Sequence, residues 1–140
     1  MDVNRSFKIC SSGLAAHRAK LDVVSSNLAN ISTTRTPEGG PYRRKAVALA
    51  AEELGGRFDS SLKEAVKSVK VDEITEEPKV KMMYDPAHPD ADAKGFVAMP
   101  DINMMAEMAD MIAASRAFEA CVTAFDATKS MALKTLDMGR

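Results

Sequence analysis

Residues 25–37 read SSNLANISTTRTP and mark the place where one kind of chain ends and another begins. The residues before this stretch carry a helical pattern of apolar side chains, whereas the residues after it are rich in proline and glycine. Pro37 disfavours the α conformation at the preceding residue. The hydroxyl side chains of residues 32–34 favour hydrogen bonds to their own backbone over helix. We therefore predict that a long helix ends within this stretch.

The N-terminal residues 3–31 follow a heptad pattern. Apolar side chains recur at alternating intervals of three and four residues, which places them on one stripe of an α-helix. The positions of this stripe are Val3, Phe7, Cys10, Leu14, His17, Leu21, Val24, Leu28 and Ile31. We predict one helix here, about 42 Å long. Asn27 and Asn30 are expected to bond the freed carbonyl groups at its end or to adopt left-handed backbone there.

A second heptad pattern runs from about residue 104 to residue 136. Pro100 precedes it, and Asp101 or Asn103 can act as the N-cap. The stripe consists of Met104, Met108, Met111, Ser115, Phe118, Val122, Phe125, Lys129, Ala132 and Leu136. Alanine fills much of the remaining surface, so more than one neighbour can approach this predicted helix closely.

The middle of the chain, residues 37–100, predicts a small β-rich module. Residues 37–41 form a turn cluster of proline and glycine. Alternating or short apolar runs predict strands at residues 42–49, 66–74, 79–84 and 96–99. Residues 50–61, which include Gly55 and Gly56, and residues 85–94 are expected to be loops. The expected organisation is therefore 1–36, 37–100 and 101–140.

These patterns together predict an α+β fold. Two long, coiled-coil-like helices at the chain ends form an antiparallel pair, and the β-rich insertion lies between them. Aromatic residues make up only 5% of the chain, and tryptophan is absent, so the chain has little bulk for a thick core of its own. A helical hairpin buries one stripe per helix, which rarely suffices for a small chain. We expect the helices to need neighbouring copies or partner proteins.

Charge and hydropathy exclude several classes of function. The net charge of −1 gives no electrostatic reason to expect nucleic acid, and the basic triplet at residues 43–45 is interpreted as a solvated edge. No apolar run approaches the ~20 residues of a membrane-spanning helix. The first nine residues are polar and do not resemble a signal peptide. We expect a chain that stays in the cytoplasm or is exported without a cleaved signal peptide.

The two cysteines are Cys10 and Cys121, and their spacing is not that of a metal site. If Val3 pairs with Leu136 in the antiparallel hairpin, Cys10 faces Lys129, and Cys121 lies about 12 Å away along the axis. A disulfide requires Cα atoms within about 7 Å of each other. We therefore expect reduced cysteines that pack between the helices.

His17 and residues 85–92 are the candidates for chemistry. His17 lies about 10 Å from Cys10 on the same stripe, too far for direct proton transfer, so we interpret it as a histidine that contacts a partner helix. The segment DPAHPDAD offers Asp and His ligands for a cation, but it lacks the Gly and Glu of an EF-hand loop. A solvated turn is expected there. We predict no catalytic, cofactor or metal site and no small-molecule substrate; a solvent-open pocket containing His17 would favour the enzyme alternative.

Two signatures resemble a known family. Asn27-Leu-Ala-Asn30 followed by Thr36, Gly40 and Tyr42 resembles the N-terminal motif of the axial proteins of the bacterial flagellum, with the longer spacer found in proximal-rod proteins. The second signature resembles the C-terminal region of the same proteins. It comprises residues 92–96 (DAKGF), 99–103 (MPDIN), 107–112 (EMADMI) and 115–118 (SRAF). The resemblance covers roughly residues 1–49 and 80–140.

The resemblance implies a structural subunit of the proximal rod of the basal body, which transmits torque across the periplasm. Its implied partners are copies of itself, other rod proteins, the inner-membrane ring and the type III export apparatus. The interface would consist of Phe7, Leu14, Leu21, Val24, Leu28, Ile31, Met104, Met108, Met111, Phe118, Val122, Phe125 and Leu136. The alternatives are another rod or hook-type axial protein and a cytosolic helical adaptor.

Overall fold

A computed structural model describes residues 3–53 and 67–139 of the chain. Its elements, in chain order, are α1 (Val3–Ala29), β1 (Arg44–Glu53), β2 (Lys67–Glu77), β3 (Val80–Tyr84), β4 (Phe96–Pro100) and α2 (Met104–Met138). The strands form two separate antiparallel pairs, β1 with β2 and β3 with β4. The predicted α+β fold, with two long helices flanking a small β region, is confirmed.

The two helices pack against each other in opposite directions. The ring of Phe7 lies 4.9 Å from the ring of Phe125, measured between centroids. Two turns further along α1, small buried residues allow the backbones to approach closely; these are Gly13 and Ala16 on α1 and Ala114 on α2. A Cβ atom added at Gly13 would lie only 3.1 Å from the Sγ atom of Cys121. The contact between the helices is therefore tight at this level.

The register of the helix pair differs from the expected one. The contact of Phe7 with Phe125 places Val3 near Lys129 and not opposite Leu136. The shift is about one heptad, or two helical turns. Because a shift by one heptad returns equivalent stripe positions to the interface, the apolar pattern does not distinguish the two registers. The last residues of α2 consequently extend beyond Val3.

The buried stripe of α2 is also rotated relative to the predicted one. Glu107 and Ala114 are buried, and Cys121 is half-buried at the next heptad position. By contrast, Met104, Met108 and Val122 from the predicted stripe are exposed. Small residues face α1 because they permit close packing, and part of the large apolar set is left on the outside.

The first sheet packs against α1. Strands β1 and β2 pair from Arg44 opposite Glu77 to Glu53 opposite Lys67, with an irregularity between Ala48 and Leu49. The backbone N–H of Val69 donates to the hydroxyl of Ser12 on α1, at 3.3 Å. The predicted loop at residues 50–53 is wrong: these residues continue β1, because pairing with β2 overrides the weak strand preference of alanine. Gly55, Gly56 and Val66 lie outside the described residues.

The second sheet is a short hairpin that leads into α2. Its pairing runs from Val80 opposite Pro100 to Tyr84 opposite Phe96, and these strands begin and end within one residue of the predicted bounds. Gly95 has a φ of +80°, and a Cβ atom there would lie 3.0 Å from the ring of Tyr84. Glycine is needed at this position for both reasons.

The start of α2 has a well-formed cap. The side-chain oxygen of Asn103 accepts hydrogen bonds from the backbone N–H groups of Met105, at 3.0 Å, and Ala106, at 3.3 Å. These bonds satisfy two of the donors that a helix leaves free in its first turn. Of the two predicted caps, Asp101 and Asn103, the structure uses Asn103. The position of this cap fixes where α2 begins relative to β4.

Candidate assembly interface

Asn27 lies in the last turn of α1, where its side chain is 1% exposed. Its Oδ1 atom accepts hydrogen bonds from the backbone N–H of Lys45, at 2.9 Å, and from the hydroxyl of Tyr42, at 3.1 Å. Its Nδ2 atom donates to the carbonyl of Lys45, at 2.8 Å, and to the Oε2 atom of Glu107, at 3.1 Å. The amide thus uses its full capacity of two donors and two acceptors.

The contact with Lys45 completes an edge of the first sheet. Lys45 belongs to β1, whose described partner is β2 on the other side. Asn27 bonds both the N–H and the C=O of Lys45, as a neighbouring strand would. The side chain therefore satisfies backbone groups that would otherwise be left unpaired beside α1.

Glu107 is a buried carboxylate in the first turn of α2, and its residue is 1% exposed. Its Oε1 atom accepts from both Nε and Nη2 of Arg44, at 2.7 Å each. A carboxylate removed from water is strongly disfavoured unless it is paired and hydrogen-bonded. Arg44 supplies the charge and Asn27 an additional donor, while the helix N-terminus is also favourable for a negative side chain.

Arg44 connects Glu107 to the first sheet. Its Nη1 atom lies 3.2 Å from Oε1 of Glu77 on β2. Burial of the guanidinium lowers the pKa of Arg44, but the hydrogen bond and charge of Glu107, together with the charges of Glu77 and Asp110, leave that pKa above its ordinary value. The residue stays charged at any physiological pH, so the pair does not titrate through this group.

We call these four side chains, Asn27, Tyr42, Arg44 and Glu107, the junction network. It joins the end of α1, the start of β1 and the start of α2 in one set of hydrogen bonds. Sequence reasoning placed Arg44 in a solvated basic triplet, which is wrong, and gave Glu107 no structural role. One feature of the sequence could have indicated that Glu107 is buried. It is a charged residue in the same heptad position as the small residues Ala114 and Cys121.

The predicted helix-terminating residues form a returning loop. The Nδ2 atom of Asn30 donates to the carbonyl of Ser26 at 2.9 Å, and its Oδ1 atom accepts from the hydroxyl of Thr33. Thr36 and Gly40 are bonded to each other through the backbone at 2.9 Å, and Gly40 has a φ of +82°. The loop carries Tyr42 back to α1, where its hydroxyl lies 3.1 Å from that of Ser26 and from the Oδ1 atom of Asn27.

The predicted interface residues fall into two groups. One group is already buried or half-buried in the single chain and comprises Phe7, Leu14, Leu21, Val24, Leu28, Ile31, Met111, Phe118 and Phe125. The other group is exposed and comprises Met104, Met108, Val122 and Leu136. The first group contributes to the fold of one subunit, whereas the second has no cover within the described residues.

The exposed group belongs to a larger apolar surface, which we call the α2 face. Its members are Met104, Met105, Met108, Ile112, Val122, Leu133 and Leu136. They recur at helical intervals on one side of α2. Met105 is 73% exposed, Ile112 is 56% exposed and Leu136 is 70% exposed. Exposed apolar patches of this kind often occur at protein–protein contacts, which makes the α2 face the candidate interface.

The candidates for other chemistry are engaged elsewhere or isolated. Asp85 and Asp92 accept backbone hydrogen bonds in the loop between β3 and β4, and Asp90 accepts from the hydroxyl of Thr34 at 2.8 Å. Within residues 3–53 and 67–139, no group of His, Cys, Asp and Glu side chains is arranged to hold a metal ion. The Nδ1 atom of His17 is buried and has no hydrogen-bond partner among the described residues.

No helix within the described part of the chain combines the length and apolar character needed to cross a membrane. α1 and α2 are long enough, but both carry charged side chains at frequent intervals.

Two family models match the chain at its two ends. A model described as "Flagella basal body rod protein" matches residues 7–35, and one described as "Flagellar basal body rod FlgEFG protein C-terminal" matches residues 93–138. The first range contains most of α1 and the first part of the loop that follows it, and the second contains α2.

Curated relatives match nearly the whole chain. It is 41% identical to the flagellar basal-body rod protein FlgC of Bacillus subtilis, with all of both chains aligned. It is 39% identical to FlgC of Borreliella burgdorferi, over 94% of this chain and 93% of the relative. It is 38% identical to FlgC of Salmonella typhimurium, over 96% of each chain.

Proposed function

Because the chain belongs to the FlgC family of flagellar basal-body rod proteins, it is a structural subunit of the basal-body rod, and we propose that it joins its neighbours through the α2 face. The observation that carries the proposal is the exposure of Met105, Ile112 and Leu136 on one side of a helix whose other side is packed on α1. A side chain of this kind gains about 1.5–3 kcal/mol when it is fully buried.

The division of α2 into two sides supports this role. The small residues at Ala114 and Cys121 pack on α1, and the larger apolar residues remain for contact with other subunits. Association also costs translational and rotational freedom, so a single contact of this size would be weak. Repetition around a tube buries many such contacts at once, and the resulting rigidity suits a shaft that transmits torque.

The junction network supports the same role. It fixes the start of α2 to β1 through the charged pair of Glu107 and Arg44, which bonds at 2.7 Å. A subunit that transmits force needs a fixed angle between its helices and the β module that projects from them. Hydrogen bonds in buried networks are directional, so they hold such an angle more firmly than apolar contact does.

The proposed partners are copies of this chain, other rod proteins, the inner-membrane ring and the export apparatus. The rod would cross the periplasm, and the subunit would reach it by type III export. The role is structural and not enzymatic. The match to FlgC proteins along almost all of the chain favours this function over a hook-type axial protein and over a cytosolic adaptor.

The test is a charge placed on the α2 face. Ile112→Asp should leave the free energy of unfolding of the isolated chain within about 0.5 kcal/mol of the wild type, because the side chain is exposed. In cells that lack the native gene, the variant should fail to restore rods, scored by electron microscopy of purified basal bodies and by motility. Leu21 and Phe118 are less suitable sites, since they are half-buried in the subunit itself.

Two controls separate apolar contact from other effects. Ile112→Met keeps an apolar side chain of similar volume and should restore rods. Ala113→Asp adds the same carboxylate at an exposed position of α2 that lies about 100° around the helix from Ile112, outside the α2 face, and should also restore rods. Normal rods with Ile112→Asp would contradict the assignment of the interface.

A further inference from the structure

Cys10 and Cys121 lie at nearly the same level of the helix pair. Both are half-buried, and neither is bonded to another cysteine. Cys10 stands one turn after Phe7 and one turn before Gly13 on α1. Phe7 contacts Phe125 on α2, and Gly13 contacts Cys121. Cys10 is therefore bracketed by two contacts, and interpolation places it opposite the residues between 121 and 125, about 3 Å from Cys121 along the axis.

The helices are also close at this level. The Sγ atom of Cys121 occupies the space beside Gly13, because a Cβ atom there would lie 3.1 Å away. One turn further along α1, Ala16 is buried, as is Ala114 on α2, so small residues separate the backbones on that side of the cysteines, while the Phe7–Phe125 ring pair lies on the other side. A disulfide requires Cα atoms within about 7 Å of each other. We expect the small axial offset and the close approach of the helices to bring the two Cα atoms within this range, so that rotation about χ1 can join the two Sγ atoms.

We propose that Cys10 and Cys121 close into an intramolecular disulfide across the helix pair when the chain meets a small-molecule disulfide oxidant. The thiolate of one cysteine attacks glutathione disulfide, forms a mixed disulfide and releases one glutathione thiolate. The thiolate of the other cysteine then attacks the protein sulfur of that mixed disulfide and releases the second glutathione. In total, two protein thiols are oxidised by two electrons, and one glutathione disulfide is reduced to two glutathiones.

The disulfide would join α1 to α2 across a loop that contains most of the chain. A cross-link of this kind removes conformational entropy from the unfolded chain, and the effect grows with loop length. It would also prevent the two helices from separating. The oxidised subunit is therefore expected to melt about 10 °C higher than the reduced one.

The experiment uses the full chain at low micromolar concentration, incubated with glutathione disulfide and quenched by alkylation. The expected product is a monomer that has lost two hydrogen atoms by intact mass, carries no glutathione and yields a peptide linking Cys10 to Cys121. Cys10→Ser and Cys121→Ser should each stop at a single glutathione adduct and show no rise in melting temperature. A product that keeps two glutathiones, or a covalent dimer as the main species, would overturn the proposal.

A kinetic comparison tests whether the fold brings the thiols together. The measured step is the loss of glutathione from the singly modified chain. This step should be on the order of 100-fold faster under native conditions than in denaturant, because the folded pair raises the effective concentration of the second thiol. Equal rates under native conditions and in denaturant would refute the proposal. The same result is expected if the isolated chain does not form the helix pair, and it would refute the proposal in that case too.

A relocated cysteine provides the matched control. Ser6→Cys in a Cys10→Ser background moves the thiol about one turn away along α1, on a half-buried position. Closure with Cys121 should then be at least about tenfold slower, because the axial offset exceeds the reach of a disulfide. Closure at the same rate would show that the level of Cys10 has no special role.

Discussion

The two ends of the helix pair are held by different kinds of interaction. At the end where α1 finishes and α2 begins, the junction network buries Asn27 and Glu107 and satisfies their polar groups. At the opposite end, α2 extends beyond Val3, and apolar side chains such as Leu136 and Met138 are exposed. The polar groups at the first end are satisfied within a single chain, whereas apolar side chains on the outer side of α2 are exposed along the length of the helix, from Met105 to Leu136.

The difference shows how one subunit can have a fixed internal geometry and still present an apolar surface to neighbouring subunits. Buried polar groups tolerate few alternative arrangements, because any other geometry leaves a donor, an acceptor or a charge without a partner. Exposed apolar side chains such as Met105 and Leu133 accept many neighbours. The junction network therefore fixes the geometry of the subunit, and the proposed role of the α2 face is association. Substitutions at the two ends should separate stability from assembly.

The largest loss of stability is expected for Glu107→Ala. Arg44 would lose its main partner while its side chain remains largely enclosed, and removing one partner of a buried ion pair typically costs about 3–5 kcal/mol. Because Glu77 remains near Arg44, we expect a value near the lower limit, measured by urea unfolding of the isolated chain. Glu119→Ala, on the exposed surface of α2, is the matched control. Equal free energies of unfolding for Glu107→Ala and Glu119→Ala would show that the junction network does not stabilise the fold.

A smaller loss is expected for Asn27→Ala. The backbone N–H and C=O of Lys45 would lose their partners, and an unsatisfied buried group costs about 1–3 kcal/mol. Urea unfolding should show a loss of about 2 kcal/mol. Hydrogen exchange should report faster exchange at the amide of Lys45. Asn30→Ala removes a half-buried amide nearby and should have a smaller effect; the reverse order would contradict the assignment of Asn27.

Tyr42→Phe is expected to have a modest effect. It removes the hydroxyl that donates to Asn27 at 3.1 Å and lies 3.1 Å from the hydroxyl of Ser26, while the ring stays in place. A single hydrogen bond of this kind contributes about 1 kcal/mol. A larger loss in the thermal or urea transition would mean that the ring itself had moved, which near-ultraviolet circular dichroism would reveal.

The smallest effect on stability is expected for Leu136→Asp at the opposite end. The side chain is 70% exposed, so the free energy of unfolding should change by less than about 0.5 kcal/mol. The same variant should impair rod assembly, scored by electron microscopy of basal bodies. Leu136→Met keeps the apolar character and is the control. A large loss of stability in the isolated chain would show that Leu136 is covered within one subunit.

Much of the architecture could be predicted, but the polar contacts could not. The heptad stripes predicted both helices, and short alternating runs predicted β3 and β4 within one residue. Asn103 was recognised as a possible cap because capping is local. Asn27 was expected to terminate α1, yet its side chain bonds Lys45 and Glu107. Those partners are distant in the sequence, and no local pattern indicates that the four side chains of the junction network converge.

The sequence by itself determined that two amphipathic helices flank a β module, because periodicity of 3.6 residues is encoded locally. Only the tertiary structure decided their register. Phe7 lies against Phe125, about one heptad from the expected pairing, and a heptad shift leaves the apolar stripes equally well matched. In the observed register Asn27 meets Glu107 and Gly13 meets Cys121. Hydrogen bonding and close packing depend on atomic position, so they select one register where apolar burial alone permits several.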